Sequence, residues 1–273
     1  MKKYDYRELS QQEKEKPYSK YFYKEWAQPE PEAFTPFNEP MDNLKALIPE
    51  KANDLLNPGY LDAEAGWCVL SNGVGYLANQ VKMPGVSVDM VNWWFGWHGL
   101  EPLRYKIWYP QDHYHVSVSD EHRKIILDPK TPAVKKFQGL THTVIESIGS
   151  GADKITINFL PPEDFGFDME RFKAPAVGTL VGANVFIKSS FFLPKVPVIM
   201  FHFIREIEGG VEFRSRFWVG YTLVNKKPKR KLPPFVKVPG EMLKKVGKHN
   251  VYEYTNLASF LPQLYDEQKG IIA

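Results

Sequence analysis

Residues 196–224 read VPVIMFHFIREIEGGVEFRSRFWVGYTLV, a run dense in β-branched and aromatic side chains and broken once, at Gly209-Gly210. That composition and that break predict two strands folding back on each other. Two further segments of the same character precede it, at 141–159 and 177–192, so the centre of the chain reads as an antiparallel sheet. Upstream, 66–70 and 75–81 read as strands, 86–98 carries aromatics at helical spacing, and 103–109 looks extended. Downstream, Pro239-Gly240 ends the sheet, and 241–265 reads as one or two closing helices that Pro262 kinks or restarts. Strands followed by a C-terminal helix predict an α+β fold in which a curved antiparallel sheet wraps the helix. An apolar cavity between the two would suit a small aromatic ligand.

The first 58 residues are rich in Pro, Glu and Lys and read as an arm with short helices; 59–273 forms the body. Tyr18, Tyr21, Phe22, Tyr23 and Trp26 in the arm need burial, either on the body or on a second subunit, and a homodimer is expected. The chain has 273 residues, 43% hydrophobic, 25% charged and 14% aromatic, as an ordinary globular protein does. Thirty-five basic residues against 32 acidic give a net charge of +3, too little for nucleic acid as the main partner. Cys68 stands alone, so an intrachain disulfide and a thiolate metal site are excluded and a reducing cytoplasm is expected. The N-terminus lacks the apolar core of a secretory signal, and no apolar run approaches membrane-spanning length.

Candidate chemistry rests on histidines and carboxylates. In His249-Asn250-Val251-Tyr252-Glu253, helical spacing would put the imidazole and the carboxylate on one face, where they could share a metal ion. The bland alternative is a helix-start histidine and an exposed glutamate. Asp112-His113-Tyr114-His115 follows Pro110 on what reads as a loop, and alternation would put His113 and His115 on one face. Glu146, inside a β-like stretch, must face water, a cation or a metal. His202, among apolar neighbours, is either a hydrogen-bonded core residue or a group facing the cavity. Trp93-Trp94-Phe95-Gly96-Trp97-His98 reads chiefly as packing that could wall a pocket. Arg214 and Arg216 alternate with aromatics, as on a strand with one polar face, and 226–231 reads as a solvated basic loop. No glycine-rich phosphate-binding motif accompanies a strand-to-helix turn.

Taken together, four segments resemble the 2,4-diacetylphloroglucinol hydrolase family, to which phloretin hydrolase also belongs. They are Trp93 to His98, Arg104-Tyr105-Lys106-Ile107-Trp108-Tyr109-Pro110-Gln111-Asp112-His113, Arg214-Ser215-Arg216-Phe217-Trp218-Val219-Gly220, and His249 to Pro262. The likeness spans roughly residues 60–265 in order. It implies a helix-grip fold similar to the birch-pollen allergen (Bet v 1) class, and zinc-dependent hydrolysis of the carbon–carbon bond joining an acyl group to a phloroglucinol ring. It also implies a ligand set of His113, Glu146, His249 and Glu253, with His115 an alternative to His113 should the loop register differ. Tyr105 matches a tyrosine that contacts the phenolic substrate, and His202 matches a cavity histidine. Glu146 or His202 would then carry the proton, and Tyr105 would orient the phenolate. The family's substrate-binding asparagine is replaced here by Val116, which leaves room for a different acyl group.

Two imidazoles favour zinc over magnesium, with iron, manganese and cobalt also compatible with the ligand type. The expected substrate is a small acylphloroglucinol, and the competing expectation is a non-catalytic protein that holds aromatic small molecules in the same cavity.

Overall fold

The computed structural model describes residues 8–148, 151–174, 177–188 and 195–271. The run quoted above forms β7 (Val196–Ile207) and β8 (Gly210–Val219), antiparallel partners in which Ile207 faces Gly210 across the turn. Around them lie β1 (Gly66–Val69), β2 (Gly75–Pro84), β3 (His113–Ser117), β4 (Thr141–Ser147), β5 (Ala152–Leu160) and β6 (Val177–Lys188). The eight strands make one sheet in the order β1-β2-β8-β7-β6-β5-β4-β3, antiparallel throughout. Of the expected β-rich segments, residues 149–150 and 189–192 lie outside the described residues. Between β2 and β3 the chain crosses from one side of the sheet to the opposite edge through α3 (Val88–Trp97) and α4 (Pro102–Lys106), then meanders back.

The expected extended segment at 103–109 is in fact α4 and the turn after it. Leu103, Tyr105, Ile107 and Tyr109 alternate with polar side chains as in a half-buried strand, but Pro102 sits at the first helical position, where its missing N–H costs nothing. Arg104 and Lys106 are buried as well, paired with Glu101 and Glu13, so the alternation does not separate core from solvent.

The closing segment is a single helix, α6 (Gly240–Gln268), with Pro262 inside it rather than at a break. Leu243, Gly247, Asn250, Tyr254, Leu257, Leu261, Leu264 and Gln268 are all buried, at spacings alternating between four and three residues, which is the stripe of a helix laid on a core. Each fully buried Leu or Phe on such a stripe stabilises the fold by roughly 1.5–3 kcal/mol. Gly247 marks the closest approach: a Cβ there would lie 2.4 Å from Phe37 Cε1, so only glycine lets α6 settle to this depth. This is the predicted helix-grip arrangement, a sheet closed around a long C-terminal helix.

Both faces of the sheet are covered. Toward α6 and α3 lie Val198, Ile204, Phe213 and Phe217, in the main core. On the other face Ile199, Phe201, Phe203 and Trp218 pack under Leu47, Ala52, Leu55, Leu56, Phe165 and Phe167. Burial on both faces explains why β7 is almost continuously apolar. It also corrects the expectation of a polar face on β8. Arg214 and Arg216 are 1% and 0% exposed, and both guanidinium groups bond the carboxylate of Glu64, at 2.6 Å each. The basic run at 226–231 lies largely in a hairpin of β9 (Tyr221–Val224) and β10 (Lys227–Arg230), turned by Asn225 and Lys226 in left-handed conformations.

The arm does carry short helices, α1 (Gln11–Lys14) and α2 (Lys20–Tyr23), and α1 opens with a capping box between Ser10 and Glu13. Tyr18 donates to Glu101, Tyr21 packs on Phe260, Trp26 meets the Tyr109 ring edge-on, and the Ala27 N–H donates to Asn256. Most of the arm's aromatic surface is thus spent on the body and on α6.

Burial raises the Glu64 carboxyl, but Arg214 and Arg216 outweigh it and hold the group at about 2. A carboxylate whose folded pKa is depressed contributes stability above its unfolded pKa, near 4.5, and loses that contribution as the pH falls toward about 2. Glu64→Gln leaves two buried guanidinium groups without a counter-charge, so a loss of about 3 kcal/mol in urea unfolding at neutral pH is expected. The gap between variant and parent should close as the medium is acidified through that window.

Candidate functional site: a histidine–carboxylate cluster

Three elements meet where the sheet opens toward α6. His113 begins β3, directly after the turn in which its own N–H and that of Asp112 donate to the Tyr109 carbonyl. Glu146 lies opposite it on β4. His249 and Glu253 lie one turn apart on α6. The turn is fastened to the helix at two points: Trp108 Nε1 donates to the Glu253 carbonyl (3.0 Å), and Asn256 Nδ2 donates to the Trp108 carbonyl (2.8 Å).

His113 Nε2 lies 3.3 Å from His249 Nε2, 3.5 Å from Glu253 Oε2 and 3.8 Å from Glu146 Oε2. His249 Nε2 is 3.8 Å from the same Glu253 oxygen. Donor atoms of His113, Glu146 and His249 all fall within 4.8 Å of one another. Two donors about 2.0–2.1 Å from one tetrahedral ion would stand about 3.3–3.4 Å apart, so the imidazole spacing fits a shared cation. The chemistry of the set, two nitrogens and carboxylate oxygens without a thiolate, fits zinc or a similar divalent metal.

His249 and Glu253 are oriented from behind, and Tyr105 braces His113 and Glu146. Asp112 Oδ2 lies 3.1 Å from His249 Nδ1, which directs Nε2 into the cluster. Asn79 Nδ2 donates to Asn250 Oδ1 (2.8 Å), and Asn250 Nδ2 donates to Glu253 Oε1 (2.9 Å), leaving Oε2 for the cluster. The Tyr105 hydroxyl donates to Glu146, and the Tyr105 ring stacks on His113 at 4.1 Å and 3°.

Electrostatics follow from burial. His113 is pushed down to about 3 by desolvation, against the pull of Glu146. Burial lowers His249 too, but Asp112, Glu253 and Glu146 outweigh it and bring the ring to about 9. Burial lifts Glu253 to about 7 even with His249 beside it. Tyr105 lies well above the ordinary phenol range, through burial and the Glu146 charge. The described residues lining the adjoining cavity include no Lys or Arg, so beside the His249 ring a bound cation would supply the remaining charge to balance Glu146 and Glu253.

That cavity, about 90 Å³, is walled by Phe95, Trp108, Phe159, Met200 and Phe217, with Tyr105, His98 and His202 as polar groups beside the cluster. His202 faces it from β7, its Nδ1 2.8 Å from Ser215 Oγ, and burial holds it near 3. Val116 is buried in β3 and is not among the cavity-lining residues.

The expected alternation of His113 and His115 fails. A register shift between them in the β3–β4 ladder gives β3 one residue too many. His113 meets Glu146, while His115 sits beside Lys106 and Glu13. Asp112, Asn79, Asn250, Asn256 and Trp108, which hold the cluster in place, carried no signal as isolated letters. Nor did His98 and His142, buried side by side with ring centroids 5.3 Å apart.

Residues 47–266 match the family model described as the DAPG hydrolase PhiG domain. The chain is 34% identical to a phloretin hydrolase from Eubacterium ramulus over 241 residues, 88% of this chain and 81% of that protein. It is 29% identical to a 2,4-diacetylphloroglucinol hydrolase from Pseudomonas sp, over 92% and 88% of the two chains. Among solved structures, the crystal structure of Ara h 8.0201 overlaps with a TM-score of 0.39 at 10% identity, over 70% of this chain and 99% of that one, too loose a likeness to argue from.

The geometry singles out His113 over its neighbour. Elemental analysis of purified protein should find the bound divalent metal lost in His113→Ala and unchanged in His115→Ala. Asp112→Asn is expected to weaken metal affinity by about 10–100-fold.

Proposed function

The chain belongs to the DAPG hydrolase family and is a carbon–carbon bond hydrolase, and we propose that it cleaves the bond between an acyl group and a phloroglucinol ring with the help of a divalent metal, zinc by preference. One observation carries this reading: two imidazole nitrogens 3.3 Å apart, with carboxylate oxygens beside them, open onto an aromatic-walled cavity. Family membership sets aside a mere carrier of aromatic molecules.

His113, Glu146, His249 and Glu253 would hold the ion. A zinc ion bound there supplies Lewis acidity toward an acyl or ring oxygen. The rest falls to the chain. Hydrolysis adds the elements of water: hydroxyl goes to the acyl carbon and gives a carboxylic acid, while the ring carbon keeps the electron pair of the broken bond and takes a proton. Tyr105, whose hydroxyl already donates to Glu146, would orient a phenolic oxygen and pass a proton to or from that carboxylate. His202, neutral on the β7 wall, is the second candidate to hold the proton bound for the ring carbon. The apolar walls offer a face to the ring, and Tyr105, His98 and His202 are the polar groups on them beside the cluster.

The proposal extends to a homodimer, supported by Tyr23 and Leu44, which stand 62% and 91% exposed on the arm, and to a reducing cytoplasm, supported by the single buried Cys68. No described helix is long and apolar enough to cross a membrane.

Purified protein incubated with phloretin and with 2,4-diacetylphloroglucinol should release a carboxylic acid and the deacylated phenol. Activity should vanish on chelation and return with zinc. Metal-replete protein that cleaves neither compound would refute the reading. Glu253→Gln and Tyr105→Phe should each lower kcat by about 100-fold or more, in line with the loss of a ligand charge and of a proton-handling group.

A further inference from the structure

His98 caps the C-terminal end of α3 and lines the cavity. It is 3% exposed, and its ring is clamped by Trp94 (5.4 Å, 25°), Tyr105 (5.9 Å, 29°) and the edge of Trp108. Nδ1 lies 2.8 Å from the Trp94 carbonyl oxygen. A carbonyl can only accept, so the proton of the neutral ring is on Nδ1, and Nε2 is left with a lone pair. Among the described residues no donor meets that lone pair, although the ring lines the cavity. An acceptor held in a fixed direction on a cavity wall is best met by a ligand that brings it a donor.

The donor can be specified. His98 stands one ring further along the wall than Tyr105, which itself stacks on His113, so a flat molecule reaching the cluster with one oxygen would bring another part of its ring to His98. We propose that His98 Nε2 accepts a hydrogen bond from a ring hydroxyl of the substrate, making His98 a specificity-determining residue that selects polyhydroxylated rings over their ethers. This inference rests on the acylphloroglucinol reading of the same cavity and adds to it the group that reads the hydroxyl pattern away from the cleaved bond. A site with a buried acceptor discriminates against a molecule that lacks the donor, because the acceptor then stays unpaired.

The test uses zinc-loaded protein titrated calorimetrically with phloroglucinol and with 1,3,5-trimethoxybenzene, with turnover of phloretin assayed in parallel. In His98→Asn the amide nitrogen takes the place of Nδ1 on the Trp94 carbonyl, but nothing replaces Nε2. His98→Gln brings an amide oxygen near the Nε2 position. The Asn variant should weaken phloroglucinol by about tenfold and leave trimethoxybenzene unchanged, while the Gln variant keeps the parent's preference within about threefold. Unchanged trimethoxybenzene binding reports that the cavity is intact, which a merely packing role for His98 would not preserve. If the Asn variant prefers phloroglucinol as strongly as the parent does while the parent turns over phloretin, the inference fails and the hydrolase reading stands. If the preference collapses as expected but no acylphloroglucinol is cleaved, the inference stands and the hydrolase reading fails. Failure of the parent to bind phloroglucinol overturns both.

Discussion

Two imidazole nitrogens that belong to residues 136 positions apart in the chain face each other across 3.3 Å. Nitrogens so close must share either a proton or a cation, and the fold is arranged so that neither ring can turn away. His249 is held by Asp112 from behind, and His113 is pressed flat against Tyr105. The loop that carries His113 and Asp112 is tied to the helix that carries His249 by Trp108 and Asn256. The depth at which that helix lies is in turn set by Gly247 against Phe37. Each layer removes one freedom that a metal site cannot tolerate, since ligands must converge to within a few tenths of an ångström.

How much of this could be read from the letters depended on whether the local period survived the tertiary fold. On α6 it did. The four-residue spacing of His249 and Glu253 put both on one stripe, flanking the heptad-like stripe of buried apolar residues. The strand content of 141–224 was likewise plain, because aromatic and β-branched runs bounded by glycine have few other uses. The period misled where both phases of an alternation are buried. At 103–109 the charged phase is sunk into ion pairs with Glu13 and Glu101, and on β8 it is sunk against Glu64, so alternation no longer marks a boundary with water. A bulge is quieter still. One additional residue between His113 and His115 changes which histidine faces Glu146, and nothing in the composition of the segment announces it. Residues that orient the ligands, such as Asn79 and Asn250, are legible only once the strands and the helix are side by side.

The sheet divides labour between its faces. One wraps α6 and holds the cavity; the other is sealed by residues 47–64 and by Phe165 and Phe167. The sealed face gives β7 and β8 rigidity that an open sheet would lack, and these strands present His202 and Phe217 to the cavity. The ion pairs of Arg214 and Arg216 with Glu64 on that face add directional bonds where apolar packing alone would allow sliding. The cavity itself is thus shaped from its far side as much as from its lining.

The arm carries this logic to the chain's beginning. It is bonded to α6 at several points: Lys20 and Tyr21 to Glu267, and Ala27 to Asn256. Trp26 rests on Tyr109, whose ring in turn touches His249. Trimming the first thirty residues to ease crystallisation, or fusing a bulky partner close to Trp26, would therefore not be a neutral edit. It would strip a bracket from the histidine on the helix, and the damage would register as a loosened histidine–carboxylate cluster long before the sheet itself came apart.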